Sequence, residues 1–225
     1  EVGAHVVYGV VGHKTHAKMA LVVRREEGRL VRYAHLGTGN YHPRTATLYT
    51  DFGLLTADPD ICSDVNEVFL HITSLAKAAR MRRLLLAPFT MQRRVLGMIR
   101  REARNARDGK PARIVAKMNA LTEEGVIRAL AQASQAGVEI DLIVRGACSL
   151  RPGVPGYSDN IRVRSILGRF LEHHRIWCFE NGGAKDVELS SADWMGRNLF
   201  RRIEVAFPVL DPAAKRRVID EGLEA

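Results

Sequence analysis

The sequence predicts an α/β fold of mixed sheets flanked by helices, in two related halves. Three observations carry this. Strand-type apolar runs alternate with runs of helical spacing. The pattern stops at Asp108-Gly109-Lys110-Pro111 and then restarts. A set of chemistry-bearing residues also occurs twice in the same order. With 225 residues, 46% of them hydrophobic, the chain can bury a substantial core. A net charge of +9 and a pI of about 9.9 favour a polyanionic partner: nucleic acid, an anionic membrane surface or polyphosphate. Cys62, Cys148 and Cys178 lack metal-type spacing and read as buried thiols of a reducing compartment. There is no apolar run of about eighteen residues and no signal peptide. The start at Glu1-Val2-Gly3, without a methionine and directly before a β-rich run, reads as an excised fragment.

In chain order, 6–11 and 18–23 read as strands broken by Gly12 and the basic residues after it. Glu26-Glu27-Gly28-Arg29 is a hairpin turn, with 30–35 the returning strand. Gly37-Thr38-Gly39-Asn40 is a small-residue loop whose amides can approach an anion. A strand is expected at 52–55 and a helix from Ile61 to Ala76, with Val65, Val68, Phe69 and Ile72 inward. Leu84-Leu85-Leu86-Ala87 closes that section before Pro88. The span 92–107 is a basic amphipathic helix with Val95, Leu96 and Ile99 inward and arginines outward.

After the linker, 113–118 is a strand and Asn119 opens a loop. Thr122 is expected to cap a helix carrying Glu123 and Glu124 in its first turn, ended by Gly137. Residues 139–144 form an apolar strand that delivers Arg145-Gly146 at its carboxyl end, where open α/β sheets bind ligands. A Gly/Pro-rich loop spans 151–160, a strand 161–165 and a short helix 168–173. Strands 176–180 and 187–190 pair around Asn181-Gly182-Gly183, and 211–222 is a closing helix with Pro212 at its first position.

The repeated order is histidine, a cation two places on, a strand, and a loop of small polar residues. The first copy is His16-Ala17-Lys18 with 37–40; the second is His173-His174-Arg175 with Ser190-Ser191-Ala192-Asp193. Strand geometry sends His16 and Lys18 to one face. An imidazole beside a cation suits attack on phosphorus, the lysine neutralising the oxygens around it. Two such motifs across a pseudo-twofold can make one site, one histidine as nucleophile and the other as acid or base.

This order resembles the phospholipase D superfamily, with its two His-x-Lys motifs on duplicated α/β halves. The chain is more specifically similar to the bacterial polyphosphate kinase family. The matching stretches are 15–18, 32–41, 45–51, 142–146, 158–162, 170–173, 179–183 and 189–195. The resemblance implies phospholipase-D-like mixed sheets, with 1–108 the carboxyl-terminal part of a first catalytic domain and 109–225 a second. It implies reversible transfer of the terminal phosphate of ATP to inorganic polyphosphate through a phosphohistidine. The position matching the phosphorylated histidine is His16, not His13. Tyr49, Arg145 and His173 match contacts to ATP or its phosphates.

Lys18, Asn40, Arg145 and Arg175 are expected to hold phosphate oxygens. Magnesium is the expected cofactor, with its ligands upstream of this region. Nucleic acid is not an expected partner. The resemblance also points to a cytoplasmic protein, homo-oligomeric at full length, with peripheral membrane association left open. Arg44, Arg162, Arg164 and Arg169 are candidates to line a polymer path. His16 needs an acceptor to fix its tautomer, and the sequence names none. Asp193 is either an orienting group or a strand-end cap. Two other functions remain: a phosphodiesterase or nuclease, and a non-catalytic polyanion-binding module. Against the diesterase stand Arg175 in place of lysine and Val23 where an aspartate would follow in register.

Overall fold

The computed structural model describes residues 2–74 and 80–224. The chain opens with short β1 (Lys14–Thr15), then the hairpin strands β2 (Lys18–Glu26) and β3 (Arg29–Gly37). Glu27 and Gly28 both have positive φ (47° and 78°), the conformation a two-residue turn needs to match strand twist. One-turn α1 (Pro43–Ala46), β4 (Tyr49–Thr50) and β5 (Gly53–Thr56) follow, β5 completing an antiparallel β2-β3-β5 sheet. Next come α2 (Pro59–Ser74), β6 (Leu85–Ala87), α3 (Met91–Arg107), β7 (Arg113–Met118), α4 (Glu124–Gln135), β8 (Glu139–Val144) and β9 (Ile161–Arg164). The chain closes with β10 (Leu171–Glu172), β11 (Arg175–Phe179), β12 (Asp186–Ser190), α5 (Gly196–Arg201), β13 (Arg202–Pro208) and α6 (Pro212–Gly222).

The expected mixed α/β layers are present. The main sheet has eight strands in the order β1-β13-β12-β11-β7-β8-β9, with β6 also paired to β13. Strands β7, β8 and β9 are parallel, whereas β11, β12 and β6 run antiparallel to their neighbours. Alternation along each strand builds a core on both faces. On β13, Ile203, Val205 and Phe207 join a core with α2, α6 and β3, while Ala206 faces the core under α3, α4 and α5. Trp177 and Trp194, fully buried, meet in the second of these with ring centroids 5.5 Å apart. β6 and α3 precede the linker at 108–111, yet they pack with the strands and helix that follow it.

Several expectations need correction. No strand forms at 6–11: Gly9 and Gly12 take positive φ, and Val6, Tyr8 and Val11 stand in solvent. The run 168–173 is not helical; Leu171 and Glu172 pair with Tyr49 and Thr50 instead. Six residues cannot offset the cost of helix nucleation against a strand waiting to pair. Glu123, not Thr122, caps α4, its carboxylate accepting from the amides of Gly125 and Val126. Leu85–Ala87 is a strand, and β13 is one the sequence reading did not mark. The helix expected to reach Ala76 is α2; its final expected positions lie outside the described residues. The three thiols are free, and burial pushes that of Cys178 up to about 11, leaving it unreactive.

Candidate functional site

The chain between β1 and β2 is pinned to β13: the amides of His16 and Ala17 both donate to the Ile203 carbonyl, at 2.9 and 3.0 Å. That places the His16 ring beside Glu204, whose Oε2 lies 2.8 Å from Nδ1. Glu204 is fully buried, and the same oxygen accepts the Ser191 hydroxyl. A carboxylate can only accept, so in the neutral ring the proton sits on Nδ1 and the lone pair on Nε2. Among the described residues Nε2 makes no hydrogen bond. Glu204 is therefore the acceptor that the sequence could not name.

His173 is built the same way from the other direction. Its amide donates to the Thr50 carbonyl at 3.2 Å, and its Nδ1 lies 2.9 and 3.0 Å from the two oxygens of Asp51. The buried Thr38 hydroxyl donates to Asp51 at 2.7 Å. Gly39 leaves the carboxylate its room: a Cβ there would lie 2.1 Å from Asp51 Oδ2. The Tyr49 ring covers the imidazole, centroids 5.0 Å apart and planes inclined at 32°. The remaining nitrogen, Nε2, accepts an N–H from Arg175 Nη1 at 3.0 Å.

Arg175 is buried, and its guanidinium also donates to the His173 carbonyl and to both oxygens of Asp193. Asp193 in turn accepts from the amides of Asn119 and Ala120, so it both orients a cation and caps a strand end. These bonds hold the Arg175 guanidinium toward His173.

Lys18 behaves oppositely. Its ammonium is buried and, among the described residues, has no hydrogen-bond partner. Burial lowers its pKa to about 8, opposed by Glu204 and Asp51 and assisted by Arg175 and Arg202. Glu204, Asp51 and Arg175 are the groups that hold the two histidines, so the two motifs converge around this one lysine. A buried, unpartnered cation costs stability until an anion meets it.

The remaining candidates sit around this centre. Arg145, half-buried at the carboxyl end of β8, has an unpartnered Nε, and its backbone amide bonds Met118 next to Asn119. Asn40 is exposed and lines an open cleft with Gly39, Tyr41, Tyr49 and Asp51. Arg162 and Arg164 are engaged elsewhere, by Asp141 and the Leu223 carbonyl, and Arg169 lies over Phe170. His174 is buried behind the site, its pKa lowered first by burial and then by Lys117. Among the described residues no three His, Cys, Asp or Glu side chains group as a metal site. Sequence reasoning missed Asp51 and Glu204. The available signal for Glu204 was one acid alone in the apolar run Ile203-Glu204-Val205-Ala206-Phe207.

Comparison with known proteins gives matches in two parts of the chain. Residues 1–78 match the family model for polyphosphate kinase C-terminal domain 1, and residues 84–222 match that for C-terminal domain 2. The chain belongs to the polyphosphate kinase family. It is 64% identical over 224 residues to the polyphosphate kinase of Neisseria gonorrhoeae, covering 100% of this chain and 33% of that protein. It is 66% identical over 226 residues to that of Burkholderia cenocepacia, covering 99% of this chain and 33% of that protein. The crystal structure of polyphosphate kinase from Porphyromonas gingivalis superposes with a TM-score of 0.87 at 47% identity, over 93% of this chain and 33% of that one. The chain thus spans about a third of the length of its curated relatives. Among the described residues no helix is long and apolar enough to cross a membrane.

Proposed function

We propose that this chain is the carboxyl-terminal catalytic part of a kinase that passes the terminal phosphate of ATP to inorganic polyphosphate, reversibly, through phosphorylated His16. The observation that carries this reading is the crossed pair: each histidine's Nδ1 is held by a carboxylate from the other part of the chain, beside an unpartnered buried lysine. Nε2 of His16 attacks the γ-phosphorus as the P–O bond to ADP breaks, the bonding pair leaving on the ADP oxygen. The Nδ1–H stays directed at Glu204, which offsets the charge the ring gains. Lys18 faces the non-bridging oxygens. In the second step the terminal oxygen of polyphosphate attacks the same phosphorus, and the N–P bond breaks back to Nε2.

Once the Arg175 N–H moves off its Nε2, His173 takes the proton of an incoming protonated oxygen there and returns it in the reverse direction. Arg175 orients that ring, and Tyr49 forms a wall beside it. Arg145 and Asn40 are the groups left to meet nucleotide or phosphate oxygens. Among the described residues no three His, Cys, Asp or Glu side chains group as a metal site, and no step here is routed through magnesium. Incubating the full-length protein with γ-labelled ATP tests the scheme. Acid-labile label is expected on His16; no label, or label that persists in His16→Ala, overturns it.

A further inference from the structure

Helix α3 carries six arginines against one glutamate, and that glutamate, Glu102, is buried beneath it. Arg93, Arg100, Arg104 and Arg107 are all exposed. Steps of seven, four and three residues keep them on one stripe, about 21 Å long at about 1.5 Å per residue. Among the described residues none of the four has an ion-pair partner; the only α3 arginine that does is Arg101, held by Asp186 and Glu102. The helix is electrostatically poor on its own. Its first turn has no acid and carries Arg93 and Arg94, the wrong sign for the positive end of the dipole. The arginines three and four apart repel one another.

The direction of the stripe is set by the fold. Ala87, the last residue of β6, pairs with Glu204, the carboxylate that holds His16. A tight turn at Phe89 and Thr90 starts α3 there, so the helix begins at the site's end of the sheet. It then runs away from the site: near its other end Glu102 accepts from the amide of Asn181, which lies just beyond β11.

We propose that this arginine stripe is an accessory track for inorganic polyphosphate, holding the part of the chain that extends out of the phosphoryl-transfer site. The proposal rests on the reading that polyphosphate is the substrate. A linear polyanion matches a linear row of guanidiniums, each able to take two phosphate oxygens, and it relieves both the repulsion and the dipole mismatch. Rigid bases are not needed for such binding, and no aromatic side chain is interleaved in α3 for bases to stack on.

The test uses the full-length protein with Arg93, Arg100, Arg104 and Arg107 all changed to Gln. Filter binding of labelled long-chain polyphosphate at low salt is expected to weaken by about tenfold, with a shallower salt dependence. KM for long chains should rise in parallel, while KM for short oligophosphates and kcat stay at the parent values. Unchanged long-chain binding overturns the track. So does an equal loss for short and long chains, which means the site itself was disturbed, and so does loss of duplex DNA binding with polyphosphate binding intact. Because the binding assay needs no turnover, failure of the phosphohistidine scheme shows up separately, as a parent protein that binds polyphosphate but takes no label.

Discussion

The two histidine sites share one plan and differ in what is left over. At His16 the carboxylate is wholly buried, a serine hydroxyl fixes it, and the far ring nitrogen has no partner. At His173 the carboxylate borders an open cleft, an arginine covers the far nitrogen, and a tyrosine ring lies against the imidazole. An open lone pair near a buried ammonium that has no hydrogen-bond partner among the described residues is a nucleophile's environment. At His173 the lone pair is taken by Arg175, so that N–H must move off Nε2 before the ring can take a proton, and the Tyr49 ring lies against one face. The asymmetry comes from single residues: Lys18 against Arg175, and the absence of a stacking ring at His16.

Removing the acceptor at the first site should break this contrast most sharply. In Glu204→Gln the side-chain amide can donate to Nδ1 and favour the wrong tautomer, with the lone pair turned away from the phosphate. The rate of acid-labile labelling from ATP is expected to fall by about a hundredfold or more; a variant that labels at the parent rate breaks the assignment. A smaller effect is expected at the second site. Gly39→Ala places a methyl where Asp51 sits, so Asp51 must move off His173. Discharge of phosphorylated His16 to polyphosphate should slow by about ten- to a hundredfold, while its formation from ATP changes less. Asp51→Asn should do the same, and the double variant should be no worse than either single one.

The pH response of Lys18 sharpens the comparison further. Its folded pKa, about 8, lies below the ordinary lysine value of 10.5. Below pH 8 the fold carries a buried charge at a cost, and between the two values the unfolded chain binds the extra proton. Stability attributable to this group therefore rises with pH across that window. Lys18→Met should unfold later in urea than the parent at pH 7, by about 2 kcal/mol, and the gap should close toward pH 10. The parent's affinity for phosphate substrates should fall as pH passes 8, a dependence the variant should lack. A pH-independent gap in stability would sink this account.

Much of the fold was legible because its signals are local. Glu27-Gly28 between alternating strands, the stripe Val95, Leu96 and Ile99 on α3, and Gly137 after α4 each decide a structure within a few residues. β10 was not legible: two residues show no period, and its conformation comes from a strand 121 positions earlier, as in the Thr50 hydroxyl bond to the Leu171 carbonyl. The site divides along the same line. His16, Lys18, His173 and Arg175 stand in short motifs. Asp51 and Glu204 act on rings 122 and 188 positions away, and nothing beside them in the sequence says so.

That separation has a consequence for the newly made chain. A ribosome that has released His16 has not yet made Glu204, because the two lie 188 residues apart. Until β13 is in place, the imidazole has no Glu204 to hold its ring. The crossed carboxylates thus act as an interlock: the paired-histidine arrangement forms only when both parts have closed on each other.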